Sequence, residues 1–370
     1  MISTTAALFR RARRPDTAVI QPAPGPALER TAGPNASGLS HRWRPRLGRR
    51  WSWPLAVATA FLVSRVAYVA AGVRFDDSAL HPAMATQVQW QLLPLGLLHH
   101  DLGRSVWNLH SQPPLYNLFC GFLLHLPAGT QKPVAAFLYA ALGLVLVLTT
   151  FAILETVGAG KRIAFALTVL VVADPSVVLY ENWLSWSYPT AVLLTVGVFC
   201  VLRWTSTRRA RWAAWAMACF ASVVLLDATF QWPWLVAIGA IVVLGHRPSW
   251  RRCLAAMAVP LVITAGWYTK DAVQFGTTAT SSWLGMNLYQ TTLEQARPAD
   301  IRALAQRGVL DNLAGTTAFK PIASYVPRFA SLPEKGVPAT VALDSEQGMP
   351  NYNNIVYLQV SARYLHDDLS

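Results

Sequence analysis

Long apolar runs, separated by short polar segments, dominate this chain and predict its architecture. The longer runs approach the roughly 20 residues that an α-helix needs to cross a bilayer. The runs lie at 53–72, 114–126, 133–154, 162–180, 188–203, 212–229, 232–245 and 254–268. This pattern predicts an all-α polytopic membrane protein.

The composition agrees with that class. Hydrophobic residues make up 54% of the chain and charged residues only 13%, whereas soluble domains are about one quarter charged. The 15 tryptophans are typical of proteins that meet the membrane–water interface. We therefore predict an integral membrane protein that contacts the lipid bilayer over much of its surface.

The net charge of +13 is concentrated in the first part of the chain. Residues 1–268 hold 23 Lys and Arg against 9 acidic residues, while residues 269–370 hold 8 against 9. Residues 1–50 contain 10 arginines and are predicted to be a disordered, cytoplasmic tail, because basic segments stay on the cytoplasmic side. The basic residues do not alternate with aromatic ones, so we predict no nucleic-acid partner.

Three later basic clusters orient the remaining spans. They are Lys161-Arg162, then Arg203 with Arg208, Arg209 and Arg211, then Arg247 with Arg251 and Arg252. All three lie on the cytoplasmic side only if the short segment 114–126 re-enters or lies shallow. Residues 74–112 and 269–370 are then external. We expect residues 269–370 to be mostly helical, with helices at 301–307 and 355–369. This region is expected to end without a closing span, as a fragment of a longer protein would.

The stretch from His110 to Phe119 marks the entry into the second apolar segment. Pro113-Pro114 suits the first turn of a helix and cannot lie inside one. We expect His110, Ser111 and Gln112 to be held at the membrane surface. Upstream, four apolar residues recur at helical spacing and predict an amphipathic helix on that surface; they are Met84, Val88, Leu92 and Leu95.

Acidic residues collect on the predicted outer face. Asp76 and Asp77 follow the first span directly, Glu181 lies in a predicted external turn, and Asp227 ends another span. An external carboxylate beside the membrane suits a general base that takes a proton from an acceptor. The alternatives are a solvated pair for Asp76-Asp77, and helix capping or an internal ion pair for Asp227 and for Asp174.

A phosphate leaving group needs cations or hydrogen-bond donors beside it. Four residues lie at a suitable depth, and they are Arg65, Arg74, His110 and Gln112. Arg65 lies in the outer half of the first span, where its side chain either reaches the interface or faces a polar cavity.

The residues quoted above resemble a known family. An acidic residue after the first span, a surface helix and Gln-Pro-Pro-Leu-Tyr at residues 112–116 resemble the GT-C glycosyltransferases, in particular the dolichyl-phosphate-mannose–protein mannosyltransferase-like superfamily. The resemblance covers about residues 50–270. It implies a GT-C-like transmembrane helical bundle at 51–268, followed by an external C-terminal region.

The resemblance also implies an activity. Members of that family move a sugar from a polyprenyl-phosphate carrier to an acceptor on the outer face of the membrane. Their catalytic base maps to Asp76 or Asp77, with Asp76 favoured by position. Two positions depart from the family pattern: Gln112 stands where a lysine is common, and Asp77 stands where a glutamate is common. The phosphate cation is therefore unassigned, with Arg65 or Arg74 as substitutes.

Other functions remain open from the residues alone. We predict no cofactor, with a divalent cation held by Asp76, Asp77 and loop histidines as the alternative. A transporter or flippase would use Arg65, Asp174 and Asp227 along a pathway, and a non-catalytic scaffold would need none of them. The composition favours a bacterial plasma membrane, and the sugar, the acceptor and the oligomeric state are left open.

Overall fold

The computed structural model describes residues 52–81, 91–245, 250–311, 313–325, 340 and 351–369. The predicted basic tail at 1–50 lies outside these ranges, as do Met84 and Val88 of the predicted surface helix. Leu92 is not helical, and a short helix begins only at Leu95. Within the described ranges the regular structure is helical, and a single parallel β-bridge joins Asp76 to Trp183.

Fourteen α-helices are found in the described part of the chain, numbered here in chain order. They are α1 (Ser52–Ala70), α2 (Leu95–His100), α3 (Leu102–Trp107), α4 (Pro114–Leu124), α5 (Gln131–Thr156), α6 (Lys161–Ala173), α7 (Pro175–Glu181), α8 (Ser187–Thr207), α9 (Ala210–Val224), α10 (Trp232–Leu244), α11 (Trp250–Phe275), α12 (Leu284–Thr291), α13 (Pro298–Gln306) and α14 (Ile355–Leu369).

Four of these helices, α1, α5, α8 and α11, are long and apolar enough to cross a membrane. The helices α6 and α7 make a fifth span if the bent pair is counted as one. The described part of the chain is therefore helical and holds four or five helices that could cross a membrane, as in a multi-pass membrane protein.

The predicted span at 162–180 is two helices that meet at an angle of 60°. Pro175 breaks the run because proline has no N–H for the helix and disfavours helical backbone before it. Asp174 caps the new helix, since its side chain accepts a hydrogen bond from Ser176 N–H. Asp174 therefore has the capping role that was its alternative interpretation.

The helix α4 is too short to cross. Its 11 residues extend about 16 Å at 1.5 Å per residue. The Leu115 N–H donates to Leu225 O, and the loop after α4 leads to Lys132, which pairs with Asp77. Both ends of α4 therefore lie at one end of the bundle, as expected for a shallow segment.

Polar loops and basic clusters lie at opposite ends of the bundle. We call the first the loop end, and it contains Asp76, the 182–186 turn and the 225–231 turn. Asp76 bonds to the 182–186 turn, and α4 bonds to both turns. We call the second the basic end: here Lys161 approaches Glu155, and Arg208 donates to Gly245 O. Helix directions assign the described basic residues of all three clusters to this second end.

The C-terminal region forms helices of its own at the loop end. The predicted helix at 355–369 is present as α14, and that at 301–307 is present as α13 with slightly earlier bounds. Gly285 lets α12 approach α14, because a Cβ there would collide with Ser361 O. The rings of Tyr289 and Tyr364 stack between these two helices with centroids 4.1 Å apart.

Candidate functional site

The Asp76-Asp77 loop is fixed by its backbone. Asp76 N–H donates to Asn182 O at 2.7 Å, and Asp76 O accepts from Leu184 N–H at 3.0 Å. The carboxylate itself is exposed, and its Oδ1 accepts from Ser78 N–H at 2.9 Å. No other described residue bonds to this carboxylate, so Oδ2 is available to an incoming proton donor.

Asp77 is engaged by a cation that sequence reasoning missed. Its Oδ1 accepts from Lys132 Nζ at 2.8 Å, and His81 Nε2 lies 3.5 Å from its Oδ2. Partial burial raises the pKa of the Asp77 carboxyl, but the Lys132 hydrogen bond and charge outweigh it, so this pKa lies below its ordinary value. One signal could have found Lys132: it is the single Lys or Arg between Arg104 and Lys161.

The 110–112 segment was expected at the membrane surface, and the structure corrects this. His110, Ser111 and Gln112 are all buried, because the C-terminal region covers them. His110 Nδ1 lies 2.9 Å from Ser282 Oγ, and the backbone N–H groups of His110 and Ser111 both donate to Asn353 Oδ1 at 2.9 Å.

Helix α11 fixes the same segment from another side. Lys270 Nζ donates to Leu109 O at 2.9 Å, and the Phe275 ring packs 4.7 Å from the His110 ring, centroid to centroid. His110 is therefore enclosed by protein, whereas Gln112, at the end of the segment, reaches the wall of a cavity.

A polar cavity of about 710 Å³ lies at the loop end. It brings together segments that are far apart in sequence, including two predicted site residues, Gln112 and Asp227. Its walls are formed by Gln91, Gln112, Trp186, Asp227, Ala228, Thr229, Gln231, Ser281, Trp283, Leu284, Asn287, Gln290 and Phe319. We call this space the polar cavity.

The polar cavity combines flat aromatic faces with amide side chains. Gln112 is 3% exposed, and its Oε1 has no hydrogen-bond partner among the described residues. Asp227 Oδ1 accepts from Thr229 N–H at 2.9 Å; this is a contact within the turn, whereas its alternative roles were a helix cap or an internal ion pair, and the cap position of α10 is Gln231. Amides both donate and accept hydrogen bonds, and the lining residues include no Lys or Arg. The lining therefore suits an uncharged, polyhydroxylated group.

An apolar groove of about 400 Å³ lies beside this cavity. Its walls come from α4, α5, the start of α8 and the turn after α9, and they are Leu115, Tyr116, Phe119, Leu138, Tyr139, Ala141, Leu142, Val145, Pro189 and Leu226. We call it groove A. The Tyr139 ring lies 5.4 Å from that of Phe75, next to Asp76, and the Tyr116 ring lies 5.6 Å from that of Trp186, a wall of the polar cavity.

Two other predicted site residues lie inside the bundle. Glu181 was expected in an external turn, but it is the last residue of α7 and is buried. Arg65 Nε and Nη2 donate to its two oxygens, each at 2.7 Å, and Tyr188 also donates to it at 2.9 Å. Arg65 is thus paired within the bundle, and it lines neither of these two spaces.

The remaining predicted cation, Arg74, is exposed at the end of α1. Its guanidinium donates to the carbonyl oxygens of Val69 and Val73 at 2.6 and 3.0 Å. These contacts give hydrogen bonds to carbonyl groups that have no partner within the helix at its C-terminal end. Arg74 is not among the residues that line groove A or the polar cavity.

The ion pair of Arg65 and Glu181 depends on a glycine in the facing helix. A Cβ at Gly143 of α5 would collide with Glu181 Oε2 and lie 2.9 Å from the Tyr188 hydroxyl oxygen. We expect Gly143→Ala to lower the free energy of unfolding by about 1–3 kcal/mol, since overpacking forces the neighbours apart. Unfolding in mixed micelles measures this change.

Gly266 of α11 is the matched control for that prediction. A Cβ there meets nothing within 4 Å, so Gly266→Ala should leave stability unchanged or raise it by up to about 1 kcal/mol through helix propensity. Equal stability of the two alanine variants would show that Glu181 does not occupy the space beside Gly143.

The histidines of the first loop form no evident metal site. The rings of His99 and His100 contact each other, and His99 also stacks on His125. Within the ranges that the structure describes, no three His, Cys, Asp or Glu side chains are grouped closely enough to hold an ion. The divalent-cation alternative therefore has no ligand set among those residues.

No family model matches the chain, and neither a curated protein nor a solved structure matches it.

Proposed function

We propose that this protein is a membrane glycosyltransferase that moves a sugar from a polyprenyl-phosphate donor to an acceptor. One observation carries the proposal: an apolar groove and a polar, aromatic cavity meet at the contact of Tyr116 with Trp186. A donor with a long isoprenoid chain and a sugar head group needs both surfaces side by side. The resemblance of the Asp76-Asp77 loop and of residues 112–116 to GT-C glycosyltransferases adds to it.

The contacts suggest how the donor lies. The isoprenoid chain follows groove A along α5, where it packs against apolar walls. Lys132 lies on the same face of α5 as Tyr139, two turns away, because seven residues make nearly two helical turns. An ammonium group has three donors; one is used by Asp77, so the others can bind the donor phosphate.

The reaction is a substitution at the anomeric carbon. The acceptor oxygen forms a bond to this carbon while the bond from the carbon to the phosphate oxygen breaks. The bonding electron pair leaves with polyprenyl phosphate, and the acceptor proton passes to Asp76 Oδ2. Asp76 is the proposed base because its carboxylate is exposed and open, whereas Asp77 is held by Lys132.

The polar cavity receives the sugar in this proposal. Trp186 and Trp283 offer flat faces, while Gln112 and Asp227 offer hydrogen-bonding groups. Gln112 Oε1 lacks a protein partner among the described residues. It would accept a hydrogen bond from a sugar hydroxyl, because a buried acceptor without a hydrogen bond costs about 1–3 kcal/mol of free energy.

The orientation follows from charge. The basic end carries the described Lys and Arg clusters, and basic loops stay cytoplasmic. We propose that the loop end faces outward, that the N-terminus is cytoplasmic, and that the membrane is a bacterial plasma membrane. The transporter alternative has no comparable support, because Asp174 caps a helix and Arg65 is paired within the bundle.

Filling groove A tests the proposal. Ala141 lines the groove, and Ala141→Trp should raise the donor KM at least about tenfold, because a bulky ring displaces several methylene groups of the donor. Release of labelled polyprenyl phosphate by protein in lipid vesicles gives this KM. Leu170→Trp, on the exposed face of α6, is the control and should behave as wild type; equal donor KM in the two variants would contradict the placement of the donor.

A further inference from the structure

A second apolar groove lies next to the polar cavity. It has a volume of about 510 Å³ and lies between α10 and α11. Its walls include Trp232, Val236, Leu261, Ala265 and Tyr268, and none of its lining residues is charged. We call it groove B. Trp232 is 49% exposed and Val236 56% exposed, so groove B opens sideways, along helices of the bundle.

Groove B is joined to the polar cavity by hydrogen bonds. Tyr268, a wall of groove B, donates through its hydroxyl to Gln231 Oε1 at 3.0 Å, and Gln231 lines the polar cavity. The same hydroxyl oxygen accepts from Trp232 N–H at 3.0 Å. The inner end of groove B therefore lies against the cavity wall.

One short stretch of chain, between α9 and α10, contributes walls to all three spaces. Between α9 and α10, Leu226 lines groove A, residues 227–229 and Gln231 line the polar cavity, and Trp232 lines groove B. Two amphiphiles, one in each groove, would thus present their polar ends to the same cavity. A donor in groove A uses only one of these two apolar surfaces.

We infer that groove B holds the alkyl chain of the acceptor, and that the acceptor is a membrane lipid with a hydroxyl-bearing polar head. This inference rests on the proposed glycosyltransferase function. The acceptor hydroxyl attacks the anomeric carbon of the donor sugar, the bond from that carbon to the phosphate oxygen breaks, polyprenyl phosphate leaves with the electron pair, and the hydroxyl proton goes to Asp76.

The chemistry of groove B favours a lipid over a protein acceptor. An alkyl chain matches an uncharged groove with apolar walls, because it needs no hydrogen-bonding partner there. A soluble polypeptide acceptor would need hydrogen-bonding partners for its backbone at that depth. Groove B provides few, since its polar wall residues are threonines and Tyr268, which already bonds to Gln231.

The experiment uses the full chain in vesicles with a labelled polyprenyl-phosphate sugar and a total lipid extract of bacterial membrane as the source of acceptors. The label should move into a second product that organic solvent extracts and that survives the mild acid which cleaves sugar phosphates. Ala265→Trp, which fills groove B, should lower the rate of this transfer at least about tenfold and leave the donor KM unchanged.

Ile241→Trp is the matched control, because Ile241 lies on the exposed side of α10 and is not a wall of groove B. It should transfer at the wild-type rate. Label in protein or in a water-soluble product, with Ala265→Trp as active as wild type, would contradict the inference that the acceptor is a lipid. The proposed glycosyltransferase activity would be unaffected by that result. A wild-type protein that consumes no donor at all would overturn both.

Discussion

Replacing Asp76 with Asn is expected to lower kcat for sugar transfer by about 10²- to 10⁴-fold, the usual contribution of a general base. The amide oxygen of Asn can still accept the hydrogen bond from Ser78 N–H, so the loop keeps its conformation. The amide cannot take a proton from the acceptor. Donor binding should therefore persist while turnover is lost, which single-turnover kinetics in lipid vesicles would separate.

Asp227→Asn is the informative comparison for that result. Asp227 lies in the wall of the polar cavity, whereas Asp76 is not among its lining residues. If Asp227 only holds the sugar, its Asn variant should raise KM by about tenfold, the cost of one hydrogen bond to a charged group, with kcat little changed. The opposite pattern, with normal turnover by Asp76→Asn and none by Asp227→Asn, would identify Asp227 as the general base.

Asp300 provides a control for both variants. It lies on α13, where it pairs with Arg297, and its side chain is exposed. Asp300→Asn removes a carboxylate from the same end of the protein without touching the polar cavity or groove A, so it should leave transfer unchanged.

The second large effect concerns stability. Glu181→Gln is expected to lower the free energy of unfolding by about 3–5 kcal/mol, because it leaves the buried Arg65 guanidinium without its countercharge. The two side chains are only 12% and 4% exposed, so solvent cannot replace the lost partner. Unfolding in mixed micelles, followed by circular dichroism, would measure the loss.

Removing both charges tests whether this pair serves only the fold. Arg65→Met with Glu181→Leu should recover most of the stability, since an apolar pair of similar volume often replaces a buried ion pair at no cost. Arg297→Gln, which breaks an exposed pair, should change stability by no more than about 1 kcal/mol. Donor turnover by the stable double variant would show that Arg65 serves only the stability of the fold. A stable but inactive double variant would support a role for Arg65 in binding the donor phosphate.

Hydropathy was sufficient for most of the helices. Most apolar runs matched helices within a few residues, because a lipid-facing helix must be apolar over its whole length and so leaves a strong local signal. The run at 254–268 was too short, since its helix continues to Phe275. The run at 162–180 was misjudged, since the Asp174-Pro175 step combines a helix cap with a helix breaker. Counting apolar residues does not detect such a bend.

The candidate site was harder to foresee because its contacts are long-range. The burial of His110 and Ser111 depends on Asn353 and Ser282, which lie more than 170 residues away in sequence. No local pattern predicts such a contact. The external position expected for Glu181 was wrong for a similar reason, because its partner Arg65 lies 116 residues away and no local pattern pairs the two charges.

Lys132 illustrates a signal that the chain did contain. The proposed site lacks a cation at residue 112, where the resembling family commonly has lysine, and Lys132 stands near the start of α5, within reach of Asp77. We propose that Lys132 supplies this charge from another helix. A search for isolated cations at the starts of apolar runs would have found it.

The most direct measurement is the release of polyprenyl phosphate. Purified full-length protein in lipid vesicles would be given a panel of labelled polyprenyl-phosphate sugars together with bacterial membrane lipids. The account predicts that the wild type converts at least one donor to free polyprenyl phosphate and a glycosylated product, and that Asp76→Asn does not. Undiminished release by the double variant Asp76→Asn with Asp77→Asn, or no binding and no turnover of any donor by the wild type, would contradict it.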